Sequence, residues 1–219
     1  MISTPDLSHL RTADYDQVYE PAEDTFILLD ALEEDAEGLK AIKPSVCLEI
    51  GSGSGCVTSF IGNILGPSVL YLCTDINPYA CKCTRWTGIQ NKVDINVVNG
   101  SLATPFGFRL VRQIDIIVFN PPYVPTSEEE AFGAQISRDI GGAWAGGSDG
   151  MQVTNILLNQ IEALLSPSGR FYLVALKQNN VPNIIQTMQE AYRLKGEVVL
   201  QRRAGREHLF IIRFVRNLS

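Results

Sequence analysis

The sequence predicts an α/β protein: a Rossmann-like, seven-stranded, mostly parallel sheet with a C-terminal antiparallel hairpin and helices on both faces. Three observations lead there. Short apolar segments alternate with helical ones from residue 45 to residue 192. The strands among them are near-continuous apolar runs, as expected for parallel strands covered on both faces. The last pair of strands flanks "AGRE" at 204–207, which reads as a hairpin turn and points to a seven-stranded sandwich more than to a plain dinucleotide fold.

The first element lies in "YEPAEDTFILLDALEEDAEG" (19–38). It predicts a helix with Pro21 in the first turn and Gly38 as its stop. Glu23 and Asp24 sit near its positive end and are read as helix-terminus acids; Phe26, Leu29 and Leu32 line one side. "SVCLEI" (45–50) is a strand, followed by a glycine-rich turn and a helix through about Leu65. "VLYLCT" (69–74) is the next strand, and Pro78 opens a helix to about Gln90. Strands at 93–98 and 114–119 precede a long loop from Val124 to about Gly147. Val153, Leu157, Ile161 and Leu164 recur at helical spacing, and 170–176 is a strand. A helix follows with Asn180 as cap, Pro182 in its first turn, and Ile185, Met188 and Tyr192 on one face. The hairpin strands are 197–203 and 208–214.

The 219 residues, 45% of them hydrophobic, suffice for a single domain, with residues 1–40 an extension and helix packed on the core formed by 41–219. No apolar run is long enough for a membrane span, and "MISTPDLSHL" lacks a leader pattern. The net charge of −6 and the presence of only two histidines disfavour a nucleic-acid partner, which normally meets a basic face; Arg202, Arg203 and Arg206 form the one dense cationic stretch. None of the five cysteines has zinc-site spacing, so no metal is expected. Reduced thiols fit a cytoplasmic setting, with the nucleus as an alternative.

Ligands of such sheets bind at the carboxyl ends of the strands, and two motifs fall there. "LEIGSGSG" places Glu49 before Gly51, Gly53 and Gly55, which let the backbone turn tightly against a ligand. The third glycine comes too early for a dinucleotide motif, and Glu49 would repel a pyrophosphate while attracting an amino group and a sulfonium. Asp75, ending the next strand in "CTDINP", can accept both hydroxyls of an adenosine ribose, or serve as a turn or cap before Asn77-Pro78. Together these residues favour S-adenosylmethionine, with S-adenosylhomocysteine as product, and adenine near Gly100 and Ser101.

The second motif is "NPPY", Asn120 to Tyr123, ending an apolar strand. An amide nitrogen is a poor nucleophile. The Asn120 side-chain oxygen and the Pro121 carbonyl could hold its hydrogens and aim it at a methyl group. The prolines fix the loop direction, and Tyr123 can pack on a planar group.

With these residues in this order, the chain resembles class I, seven-β-strand methyltransferases acting on planar nitrogens. "VYEPAEDTFILLDAL" (18–32) and "AWAGGSDG" (143–150) are similar to the eukaryotic and archaeal branch of the HemK-like protein-glutamine methyltransferases, over about residues 15 to 215. That branch methylates the glutamine of the Gly-Gly-Gln loop in class I translation termination (release) factors. The resemblance makes 41–219 the methyltransferase domain. It implies cofactor contacts for Thr25, Glu49, Gly51, Gly53, Gly55, Asp75, Ile76 and Asn120. Asn120, Pro121 and Tyr123 would be the catalytic residues, with Pro122 and Trp144 also against the substrate. Where the family usually carries an acid after the third strand, "NVVNGSL" offers Ser101 for adenine. The resemblance also implies a small zinc-binding activator subunit, paired with the edge strand "VDINVV" in a heterodimer.

Other readings stay open: a methyltransferase acting on an exocyclic amine of a nucleic-acid base, one acting on a small molecule, or a catalytically dead, cofactor-binding partner of the activator.

Overall fold

The computed structural model describes residues 2–124, 126–127, 140, 147 and 150–217. Its strands are β1 (Val46–Ile50), β2 (Leu70–Asp75), β3 (Ile95–Asn99), β4 (Ile114–Phe119), β5 (Leu165–Leu176), β6 (Leu194–Ala204) and β7 (Glu207–Arg216). They form a single seven-stranded sheet in the order β3-β2-β1-β4-β5-β7-β6. The first five are parallel, and β7 runs antiparallel to both β5 and β6. The helices are α1 (Thr12–Tyr15), α2 (Glu23–Glu34), α3 (Ala36–Ala41), α4 (Cys56–Leu65), α5 (Pro78–Gln90), α6 (Gln152–Leu164) and α7 (Val181–Tyr192).

Because side chains alternate along a strand, each strand feeds two cores. Cys47, Cys73, Ile116, Val118, Tyr172 and Val174 pack with α2, α3 and α4. Leu48, Ile50, Ile117, Phe119, Phe171 and Leu173 pack with α6 and α7. The strand order reverses between β1 and β4, which opens a crevice at their carboxyl ends. The β5–β7 register pairs Leu176 with Leu209. The start of antiparallel β7, and with it the β6–β7 turn, therefore lies at the same rim. That turn is Gly205-Arg206, with Gly205 at φ +59°, as the first position of a type II′ hairpin requires.

Four local expectations are corrected, the last only in part. Pro21 precedes the first long helix, whose cap is Ala22. Gly38 does not end it: the chain bends at Asp35 and Gly38 lies inside α3. A Cβ at Gly38 would stand 2.4 Å from Asp35 Oδ1 and 2.5 Å from Arg170 Nη1, so the missing side chain admits that ion pair. Phe26 is 39% exposed, whereas Leu29 and Leu32 are buried as expected, on a face that also carries Asp24, Ile27, Leu28 and Ala31. Asn180 does occupy the cap position of α7, but in the left-handed region at φ 53°, and its side chain makes no cap bond.

Asp35 fastens the α2–α3 bend to the sheet. It accepts hydrogen bonds from Arg170 at 2.5 Å and Arg213 at 2.8 Å, and a further one from the Tyr172 hydroxyl. Burial alone would raise its pKa, but these donors outweigh burial and hold the carboxyl below the ordinary range. Asp35→Ala, which leaves the two guanidiniums facing each other, is expected to cost on the order of 3 kcal/mol in urea unfolding at neutral pH. With a lowered native pKa, this contribution is complete above the unfolded value of about 4 and is lost as pH falls through the native one. The gap between wild type and variant should therefore narrow in acid.

Candidate active site

Strand parity places Glu49 on the α4 side of the sheet, beside Cys47. Its Oε2 accepts from the Thr58 amide at 2.9 Å and from the Thr58 hydroxyl. Burial pushes this carboxyl up to about 8, Thr58 only partly opposing it. The loop after β1 then passes through the left-handed region at Gly51 (φ +67°) and Gly53 (φ +52°), and nothing lies within 4 Å of where a Cβ on Gly53 would stand. That opening is the cavity.

Asp75 faces the same cavity from the end of β2. Its Oδ2 accepts from the Gly53 amide and its Oδ1 from the Asn77 amide, each at 2.9 Å. Burial raises its pKa against these bonds. The cap of α5 is Asn77, whose Oδ1 accepts from the Tyr79 amide at 2.8 Å. Asp75 is thus not spent on capping, and each oxygen keeps a lone pair for a ligand.

On the third side Asn120 extends β4. By parity it follows Ile116 and Val118 toward α2, where Asp24 is buried. Asp24 Oδ2 accepts from Asn120 Nδ2 at 2.9 Å and from the Tyr123 hydroxyl at 2.8 Å. Its Oδ1 accepts from the Thr25 amide at 2.7 Å and the Tyr19 hydroxyl at 3.2 Å. A carboxylate only accepts, so the Asn120 amide must turn its NH2 toward Asp24. Its Oδ1 is left buried without a hydrogen-bond partner among the described residues, an arrangement that costs about 1–3 kcal/mol unless a ligand donates to it. Burial first, and the Asp24 charge second, push the Tyr19 and Tyr123 phenols up, so both remain donors.

The cavity between these groups measures about 1000 Å³ including its mouth, and no Lys, Arg or His is among the described residues lining it. Three carboxylates, Asp24, Glu49 and Asp75, with glycine backbone and no cation among the described lining residues, suit a ligand that carries positive charge and ribose hydroxyls, not one that carries phosphates. S-adenosylmethionine fits this set of acceptors: Asp75 would meet the ribose hydroxyls and Glu49 the cationic end.

Compared with known proteins, residues 23–137 match the methyltransferase small domain family. Methyltransferase HEMK2 of Homo sapiens is 44% identical over 98% of this chain and 97% of its own. The chain belongs to this methyltransferase family. The eRF1 methyltransferase catalytic subunit mtq2 of Schizosaccharomyces pombe is 43% identical over 99% of this chain and 96% of its own. Among solved structures, the E. cuniculi Mtq2-Trm112 complex matches at a TM-score of 0.67 and 24% identity, covering 91% of this chain and 99% of that one.

In this methyltransferase Thr25, Glu49, Gly51, Gly53, Asp75, Ile76, Ser101, Asn120 and Pro122 all line the cavity. Gly55 does not: at φ +80° it caps α4 where a Cβ would meet the Thr84 Cα at 2.7 Å, so it serves close helix packing. Tyr123 lies one layer out, against Asp24. Pro121 is buried, and its carbonyl accepts no hydrogen bond from any described residue. Trp144 falls outside the described residues. Asp24, expected only as a helix-terminus acid, is a further residue of the site. The available signal was helical period: it shares a face with Ile27, Leu28 and Ala31, and an acid on an apolar face calls for a partner.

Because the Glu49 pKa is raised on folding, the cofactor-free protein loses stability as pH climbs from the unfolded carboxylate range toward about 8. Glu49→Gln is therefore expected to raise the melting temperature at about pH 9 and to do so much less at about pH 5, while weakening cofactor binding by calorimetry. A pH-independent difference in melting temperature would show that the carboxyl is not held in this state.

Proposed function

We propose that this chain is an S-adenosylmethionine-dependent protein-glutamine methyltransferase whose substrate is the Gly-Gly-Gln glutamine of a class I release factor, methylated on its side-chain amide nitrogen. The observation that carries the reading is the Oδ1 of Asn120, buried without a partner among the described residues and aimed away from Asp24. It is an acceptor awaiting an N–H. The relative from Schizosaccharomyces pombe is named for eRF1, and the E. cuniculi complex is described as responsible for methylating that termination factor; both support a termination factor as the substrate.

When bound, the cofactor supplies an electrophilic methyl group on a sulfonium. Asn120 Oδ1 and the Pro121 carbonyl take the two N–H bonds of the substrate amide and fix its nitrogen in line. Both oxygens stabilise the positive charge that grows on that nitrogen. Asp24 holds Asn120 in the accepting orientation, so no side-chain rotation has to accompany the reaction. Tyr19 and Tyr123, kept protonated, cannot act as phenolate bases, so the proton leaves to water after transfer. Arg202, the first of the cationic stretch, is bound to Asp30 at 2.5 Å, which leaves a weak electrostatic footing for nucleic acid.

The same reading includes a small zinc-binding activator at the β3 edge. In support, β3 pairs on one side only, with β2. The neighbouring α5 exposes Trp86 (47%) and Ile89 (67%), and apolar surface beside a bare edge strand favours a cover.

Asn120→Ala is expected to lower methyl transfer to a purified release factor by about two to three orders of magnitude, with the cofactor dissociation constant little changed. Asp24→Asn, which lets the Asn120 amide flip, should cut turnover by about tenfold or more. Label from the cofactor, counted on the factor's glutamine by mass spectrometry, checks both. Near-normal turnover in Asn120→Ala would remove the proposed role.

A further inference from the structure

Beside the cofactor cavity lies a second cleft of about 820 Å³ including its mouth. Tyr19, Glu23, Asp24 and Tyr123 form one side of it, and Arg203, Gly205 and Glu207 of the hairpin tip form the other. Tyr19 and Asp24 line both spaces. The cleft therefore opens onto the same Asp24–Tyr123 group that orients Asn120.

Topology explains why a C-terminal hairpin reaches this place. Antiparallel β7 begins beside the carboxyl end of β5, with Leu209 opposite Leu176, so the β6–β7 turn stands at the reactive rim. The tip is also tethered. Arg202 bonds Asp30 at 2.5 Å and approaches Glu23 at 4.0 Å, both on α2, the helix that carries Asp24. The next residues point their charge outward: Arg203 and Arg206 are exposed and make no ion pair among the described residues. Glu207 is exposed too, and its charge adds to the field felt at Tyr19 and Tyr123. Ala22, Ala204 and Gly205 give the cleft low walls.

A narrow passage with small walls, in which the Arg203 cation and the Glu207 carboxylate are unpaired among the described residues, suits an extended polypeptide, whose carbonyls need donors and whose amides need acceptors. A glycine-flanked segment would offer only that backbone. We propose that this cleft holds the polypeptide flanking the methylated amide. Arg203 and Glu207 are its specificity-determining contacts, to main-chain carbonyl and N–H groups respectively. This rests on the functional reading above, since a small-molecule substrate would leave the cleft without an occupant.

The test uses the full chain, with its activator if activity requires one, and an intact release factor. Arg203→Glu and Glu207→Lys are each expected to raise KM for the factor about fivefold, with kcat and the cofactor dissociation constant within about twofold. Ala204→Trp, which fills the cleft from its rim, is expected to suppress methylation of the factor while cofactor binding and the melting temperature hold. If the wild type methylates the factor and all three variants keep its KM, the cleft is not the peptide subsite and this inference alone fails. If the wild type labels no factor at all, the functional reading fails and takes this inference with it.

Discussion

The site depends on one buried carboxylate. Asp24 sits in the first turn of α2, on the face that should be apolar, and is matched by donors from Thr25, Tyr19, Asn120 and Tyr123. Buried charge survives only when its lone pairs are filled, and here the filling has a functional by-product. Each donor that satisfies Asp24 is thereby fixed in direction. Asn120 loses the freedom to present its NH2 to the cavity, and Tyr123 loses the freedom to act as anything but a donor. A single interaction across the α2–β4 gap thus turns a flexible amide into an oriented acceptor.

The other acids show a different balance. Glu49 and Asp75 are buried with fewer donors than their charge calls for, and burial raises both pKa values. A cationic, hydroxyl-bearing ligand would offset that burial cost. The rigid frame around them absorbs it: a sheet filled on both faces and the Asp35 clasp that holds the α2–α3 bend on β5 and β7. Stability elsewhere permits instability at the centre, as is usual for sites that bind charge.

Much of this was readable from sequence because it is set locally. Apolar runs and the glycine and proline positions define the strands and turns, and Glu49, Asp75 and Asn120 each lie at or next to the end of a strand, which puts them at one rim in any doubly wound sheet. What escaped was set by side-chain packing between segments far apart in the chain. Gly38 looked like a helix stop because nothing local announces that Arg170 must pass there. Gly55 looked like a ligand contact because its service to Thr84 is tertiary. Asp24 looked like a dipole-stabilising acid, and its partners are Asn120 and Tyr123, more than ninety residues away. The hairpin's part in the rim likewise follows from the antiparallel register of β7, which the turn sequence alone does not reveal.

Nitrogen and oxygen of an amide are hard to tell apart by X-rays at ordinary resolution, so neutron diffraction of the deuterated enzyme, bound to product cofactor and a glutamine peptide, tests the central claim most directly. A deuteron of Asn120 Nδ2 is expected to point at Asp24, and a deuteron of the glutamine amide at Asn120 Oδ1. Asn120 deuterons facing the glutamine, with its oxygen turned to Asp24, would contradict it.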